Sequence, residues 1–428
     1  MEMKKYKLCE ICKNITDGEQ GTVVDSPNGE YFLLSNKNIS DGKIIINSLA
    51  DRRIDKQTFD KINKRTRLEK DDVLISTVGT LGKLCIVESN FNYTVQRSVG
   101  IIKPNQEKLI SKYLKYLLMS NTYQNLLNNT SKGAVQKCIF IDDLKNLEVS
   151  LPSLEIQQKI ATVLSSLEDK IALNRRINAK LEQMAKHLYD HWFVQFDFPN
   201  AEGKPYKASG GKMVYNETLK REIPEGWEVK KISDLLECDI SGDWGEEEIK
   251  GKHKYKVNCI RGCDMVDMTN LPVRYILESN SKKLLKKDDF VIEISGGSPT
   301  QSTGRIVQIT DEIIKRFNGK VICSNFCHGI RINDKDYVSY FLQMWNMFYV
   351  NNIFFNYEGK TSGLKNFQFD TFVSESWYFP PKELVRKYHE VVSEFRKQID
   401  KNESETQKLI SLRDKLLPLL MNGQVNIM

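Results

Sequence analysis

The chain has 428 residues, 40% of them hydrophobic and 28% charged, with a formal net charge of +7. That length exceeds one ordinary domain and allows two or three with cores of their own. The longest apolar runs, such as Ile44, Ile45, Ile46 and Val73, Leu74, Ile75, are far too short to span a bilayer, and MEMKKYKLCEICKN at the start has no signal-peptide run, so a cytoplasmic protein is expected. The nine cysteines are odd in number and follow no framework spacing, which fits reduced thiols.

Residues 1–150 read as a first globule. LEKDDVLISTVGTLGKLCIVE (68–88) holds two aspartates, a short apolar strand, a glycine-bearing turn and a second strand. YTVQRSVGIIKP (93–104) reads as strand, SKYLKYLLMSNTYQNLL (111–127) as helix, and NTSKGAVQKCIFIDDLKNLEV as a Lys/Ser/Gly loop before a final strand. This region carries 23 Lys+Arg against 18 Asp+Glu, a net of +5.

Residues 151–195 predict one long helix. Ile160, Leu164, Leu167, Ile171, Asn174, Asn178, Leu181, Ala185 and Leu188 recur at steps that alternate between four and three, the heptad seam of a coiled coil. Ser153 is the expected N-cap. About 35 helical residues at 1.5 Å each make a rod of roughly 50 Å, whose stripe needs a partner. Residues 196–226, rich in Gly, Pro and Lys, read as a linker. Residues 227–378 read as a second globule, with 20 Lys+Arg against 22 Asp+Glu between 225 and 378, a net of −2. Residues 379–428 predict a second rod.

The second half repeats the first. FPPKELVRKYHEVVSEFRKQIDKN aligns without a gap 228 positions after LPSLEIQQKIATVLSSLEDKIALN, matching Pro152 to Pro380, Ile171 to Ile399, Asn174 to Asn402, Leu181 to Leu409 and Leu188 to Leu416. The shared seam includes Val392 and Phe395. LKKDDFVIEISGGSPTQSTGRIVQI, VICSNFCHGIRI, VSYFLQMWNMFYVNNIFF and YEGKTSGLKNFQFDTFVSESW follow in the same order as their counterparts. The expected fold is α+β: two similar globules and two long helices packed antiparallel, with pseudo-two-fold symmetry. The rods then serve as a strut between two reading heads.

Catalytic signatures are missing from the sequence. GTLGK at Gly79 is too short for a phosphate-cradling loop, and no motif for methyl transfer or adenosylmethionine binding is present. Asp71, Asp72 and Asp288, Asp289 precede strands at turns, where Asp is locally favoured. Cys259, Cys263, Cys323, Cys327 and His328 have the spacing of a possible zinc site, with buried apolar cysteine as the commoner reading, and no metal is assigned. His187 and His191 are one turn apart and read as helix-end packing.

Basic and amide side chains in the repeated loops are the candidates for nucleic acid. In the first globule these are Lys37, Arg52, Arg53, Arg65, Arg67, Arg97, Lys132, Gln136 and Lys137; in the second, Lys254, Arg261, Arg274, Gln301, Arg305, Lys360 and Lys365. Arg and Lys reach guanine edges, Asn and Gln reach adenine edges, and Lys binds phosphate.

LPSLEIQQKIATVLSSLEDKIALNRRIN with LEQMAKHLYDHWFVQFDFPN resembles the central conserved region of type I restriction-modification specificity subunits. KDDVLISTVGTLGKLCIV, TVQRSVGIIKP and SKGAVQK resemble their target-recognition domains, and the linker is similar too. The resemblance spans nearly the whole chain and is weakest in PPKELVRKYHEV. It implies target-recognition domains at 1–150 and 227–378 and no catalytic centre. It implies a bipartite double-stranded DNA target, one half-site per domain, with the coiled coil setting the spacer. The implied partners are two methyltransferase subunits, which use S-adenosylmethionine, and restriction (motor-nuclease) subunits, which use ATP and Mg. The alternative reading is a scaffold that binds only proteins through a coiled-coil strut.

Overall fold

The computed structural model describes residues 3–40, 42–89, 91–130, 137–297, 300–361 and 364–425. The chain divides into two compact units, residues 1–172 with 408–428, and residues 173–407. Each unit thus holds a globule with part of both long helices, whereas the sequence boundaries treat the helices as elements of their own.

The first unit is built on an antiparallel sheet ordered Cys12–Asp17, Val99–Pro104, Val73–Ser76, Leu84–Ile86. A smaller sheet places Tyr31–Leu34 between Arg53–Ile54 and Tyr93–Val95, the latter pair parallel. Lys4–Lys7 pairs with Glu148–Leu151. The second unit repeats each step: Leu236–Ser241, Cys327–Ile332, Phe290–Glu293, Ile306–Gln308; then His253–Ile260 between Val273–Leu277 and parallel Val321–Cys323; then Glu228–Lys231 with Ser376–Phe379. Val73–Ser76 and Phe290–Glu293 are buried along their whole length, as strands covered on both faces must be. Their apolar runs are therefore continuous rather than alternating.

The runs 93–104 and 321–332 each break into two strands that belong to different sheets. A four-residue turn, Gln96 to Val99 and Ser324 to Cys327, carries the chain from one sheet to the other. It is closed by Val99 N–H donating to the Gln96 carbonyl and Cys327 N–H to the Ser324 carbonyl, both at 2.9 Å.

The paired aspartates are structural in both units. Asp71 and Asp288 take left-handed backbone, with φ of 70° and 68°, where Asp is among the tolerated residues. The next residue turns inward. Asp72 accepts from Lys103 Nζ at 2.5 Å and from Glu69 N–H at 2.8 Å; burial pushes its carboxyl up, and Lys103 opposes that shift. Asp289, with no exposed surface, accepts two bonds from Arg331, at 2.7 and 2.8 Å, and one from Lys286 N–H at 2.7 Å. Lys103 and Arg331 are 228 positions apart.

The long helices span Leu154–Tyr189 and Lys382–Met421. The Ser153 carbonyl accepts the first intrahelical bond, from Gln157 N–H. Within the first unit, Ile160, Ala161 and Leu164 share a core with Leu416, Leu417, Leu420 and Met421. Within the second, Ala185, Tyr189 and Phe193 share a core with Val385, Tyr388 and Val392. In the second unit Asn174 meets Glu405 and Thr406, Asn178 meets Asn402, and Ala185 meets Tyr388, rising numbers against falling, so the pairing there is antiparallel. Ile171, Val392 and Ile399 are buried on the seam; Leu167, Leu181, Leu188, Phe395 and Leu409 are half-buried. The seam asparagines meet across the helices in the second unit. Asn402 donates to Asn178 at 2.8 Å, and Asn174 donates to Glu405 at 2.8 Å and Thr406 at 3.3 Å. Polar seam partners of this kind fix register.

The stretch 196–226 is not a free linker. Met213–Asn216 and Arg221–Pro224 form a hairpin. Phe196, Phe198 and Trp227 join Phe193 and Tyr378 in an aromatic cluster of the second unit, with ring centroids 5.2–6.2 Å apart. The aromatic residues in this Gly/Pro-rich stretch outweigh its turn-forming composition. Among the described residues, no helix is long and apolar enough to cross a membrane.

Candidate nucleic-acid interface

The turn that joins the two sheets is tied down by backbone hydrogen bonds in each unit. In the first, Gln96 N–H donates to the Leu34 carbonyl at 2.8 Å, and Thr77 N–H donates to the Ser98 carbonyl at 2.9 Å. In the second, Ser324 N–H donates to the Ile260 carbonyl and Ile294 N–H to the Phe326 carbonyl, both at 2.9 Å. Gly18 and Gly242 pass close beneath: a Cβ there would sit 2.2 Å from the Val95 carbonyl oxygen and 2.0 Å from that of Ser324. Beside the turn runs the segment after the Lys/Ser/Gly loop. Ile139 N–H donates to the Thr77 carbonyl at 2.9 Å, and Phe367 N–H to the Ile294 carbonyl at 2.7 Å. Thr77 is thus flanked by Arg97 and Ser98 on one side and by 137–139 on the other. Ile294 is flanked in the same way by Asn325, Phe326 and 365–367. The sequence-expected residues Arg97 and Lys137 in the first unit and Lys365 in the second fall at this one place, formed twice.

The basic candidates differ in what they are free to do. Arg97 and Lys137 are exposed, and neither side chain has a partner among the described residues. Arg67, at the left-handed C-cap of helix Lys56–Thr66, and Lys254, on strand His253–Ile260, are exposed likewise. Lys37 reaches Asp51 at 2.9 Å but keeps 61% of its side chain exposed. The others are occupied. Arg52 holds Asp25 at 2.6 Å and the Val23 carbonyl. Arg53 lies over the Phe32 ring and donates to the Ser48 and Gly29 carbonyls. Arg65 ties down the Gly18 carbonyl and sits 3.6 Å from Glu19.

In the second unit the occupation is more complete. Arg261 clamps Asp264 with two bonds of 2.8 Å, and Arg305 clamps Glu293 likewise; these carboxylates hold both guanidinium groups further toward the charged form. Arg274 was expected in a loop. It lies on strand Val273–Leu277 instead, 8% of its side chain exposed, stacked over Trp244 at 4.7 Å and paired with Glu247 at 2.7 Å. Lys365 pairs with Glu358 at 3.1 Å and lies over Phe355 at 4.6 Å. Its expected loop is a hairpin, Glu358–Thr361 with Leu364–Phe367, which puts Lys360 opposite Lys365 in register. Gln301 is exposed and lends its carbonyl to Lys365 Nζ at 3.2 Å. Lys132, Gln136 and the Lys360 side chain lie outside the described residues.

Asn325, Phe326 and Trp244 are not among the residues that the sequence singles out. The 228-position offset already set Asn325 against Arg97 and Phe326 against Ser98. Among the described residues no group of three His, Cys, Asp or Glu side chains is placed to hold a metal ion. Burial in the core pushes the Cys259 and Cys327 thiols up to about 12 and Cys323 up as well.

A family model described as the type I restriction modification DNA specificity domain matches residues 2–183. Over 409 residues the chain is 26% identical to the type I restriction enzyme MjaIX specificity subunit of Methanocaldococcus jannaschii, covering 93% of this chain and 88% of that one. It is 24% identical to the HindI specificity subunit of Haemophilus influenzae over 483 aligned positions, covering 99% and 100%. The fold is that of the type I restriction-modification S subunit of M. genitalium, with a TM-score of 0.60 over 98% of this chain and 96% of that one, at 17% identity. Over most of its length the chain is similar to the specificity subunits of type I restriction enzymes.

Proposed function

We propose that this non-catalytic, DNA-recognising subunit reads a bipartite double-stranded target, one half-site per unit, and docks two methyltransferase subunits together with restriction (motor-nuclease) subunits. The observation that carries the reading is the doubled site: the same sheet order, the same anchored turn and the same flanking segment occur in both units. Two similar heads in one chain suit two half-sites, and a duplicated scaffold suits a partner present in two copies. The polar outer faces of the long helices are the surface assigned to the methyltransferases. In this reading S-adenosylmethionine belongs to the methyltransferase, and ATP and Mg to the restriction subunit.

The test is a methylome of the source cell with and without this chain. Loss of N6-methyladenine at one split motif supports the reading and gives both half-sites. An unchanged methylome, with no methyltransferase co-purifying with the chain, defeats it in favour of a protein scaffold.

A further inference from the structure

The two copies of the anchored turn have the same backbone and opposite chemistry. The first presents Arg97 and Ser98, with Gln20 at the position beyond Gly18 and Glu19. The second presents Asn325 and Phe326, with Trp244 beyond Gly242 and Asp243. The correspondence is set by hydrogen bonds: Glu19 N–H donates to the Val95 carbonyl and Asp243 N–H to the Cys323 carbonyl, both at 2.8 Å.

Phe326 is 47% exposed although it is a large apolar side chain on a rigid turn, and its carbonyl is fixed by Ile294 N–H. It meets Trp244 edge to face, with centroids 6.2 Å apart. Arg274 supports Trp244 from within the unit, and Glu247 holds Arg274. Three layers thus back an aromatic side chain that faces solvent. The cations around it are taken up by Glu293, Asp264, Glu247 and Glu358.

We propose that the two units read their half-sites by different forces: the first through the exposed cations Arg97 and Lys137, the second through an apolar contact of Phe326, backed by Trp244, with the C5-methyl group of a thymine in the major groove. This rests on the DNA-reading assignment above. A thymine methyl is the one apolar group on a major-groove base edge, and Phe is among the side chains that contact it. A guanidinium or ammonium on phosphate releases counterions, whereas a phenyl on a methyl group does not. The second unit therefore adds sequence preference with little salt dependence.

The experiment uses the full chain with its methyltransferase and a randomised duplex library, selected and sequenced, followed by binding to the selected duplex at several salt concentrations. Two variants give the second unit the residues that the first carries at the same places, Phe326→Ser and Trp244→Gln, so the backbone of the turn is not challenged. Both are expected to flatten a thymine preference in one half-site and to leave the salt slope unchanged. Replacing that thymine by deoxyuridine removes only the methyl group; the wild type is expected to lose about fourfold in affinity, the worth of one buried carbon, and Phe326→Ser nothing further. A selected half-site without thymine, or a Phe326→Ser chain with the wild-type preference, overturns the inference while leaving DNA reading intact. A wild-type complex that selects no motif at all defeats the DNA-reading assignment itself.

Discussion

The buried pair Arg331–Asp289 makes a sharp test of what holds the second unit together. Asp289 has no exposed surface, and two of its three hydrogen bonds come from Arg331. Arg331→Met keeps most of the side-chain packing and removes the guanidinium. The carboxylate then stays buried with only the Lys286 N–H. Removing one partner of a buried pair costs about 3–5 kcal/mol, and because the Arg331 side chain is 22% exposed the lower end, about 3 kcal/mol, applies. Asp289→Asn in the Arg331→Met background removes the unpaired charge, so the double variant should recover to within about 1 kcal/mol of the wild type. Arg331→Lys copies Lys103 of the first unit and should cost about 1 kcal/mol. The assay is urea unfolding of the full chain followed by tryptophan fluorescence. All five tryptophans, Trp192, Trp227, Trp244, Trp345 and Trp377, lie in the second unit, so the signal reports that unit alone. With a slope of about 2–3 kcal/mol per molar urea, Arg331→Met should lower the midpoint by about 1 M. A double variant as unstable as Arg331→Met would refute the argument, because the loss would then not come from the stranded carboxylate.

Asp400 is 16% exposed beside Arg396, 3.4 Å away, and burial pushes its carboxyl above the usual range. The folded chain therefore keeps that proton to a higher pH than the unfolded chain, and this contribution to stability falls as pH rises through the carboxylate range toward the folded value. Asp400→Asn should raise the urea midpoint at pH 7 and leave it unchanged near pH 3; a loss at pH 7 would mean that the Arg396 pairing outweighs burial. Leu167→Pro, in the middle of Leu154–Tyr189, should break the helix at about 3 kcal/mol or more, and methylation at an unchanged split motif would contradict a spacing role. Lys137→Ala should reduce the slope of log K against log salt by about one unit with an unchanged melting temperature. An unchanged slope would mean that this segment does not touch phosphate.

What the sequence yields depends on how far apart in the chain the deciding partners are. The seam from Ile160 to Leu188 and the paired aspartates were legible because heptad spacing and a turn are local facts. The repeat carried them into the second half, the aspartates at an offset of 217 positions and the seam at 228, down to the asparagines that meet across the helices. The packing of residues 196–226 was not legible because a Gly/Pro count is local, whereas the rings that hold Phe196, Tyr378 among them, are supplied from far along the chain. The pairing of many basic candidates was illegible for the same reason. Nothing near Arg305 in sequence announces Glu293 as its clamp rather than a phosphate, and nothing near Arg274 announces Trp244 beneath it. A count of cations therefore measures an upper bound on phosphate contacts, and pairing decides how many remain. In the first unit Arg97 and Lys137 remain; at the equivalent place in the second, the cation is held by Glu358 and the exposed group is Phe326. Equal backbones with unequal tips are what a duplicated reader needs if its two heads are to prefer different bases while the scaffold between them stays the same.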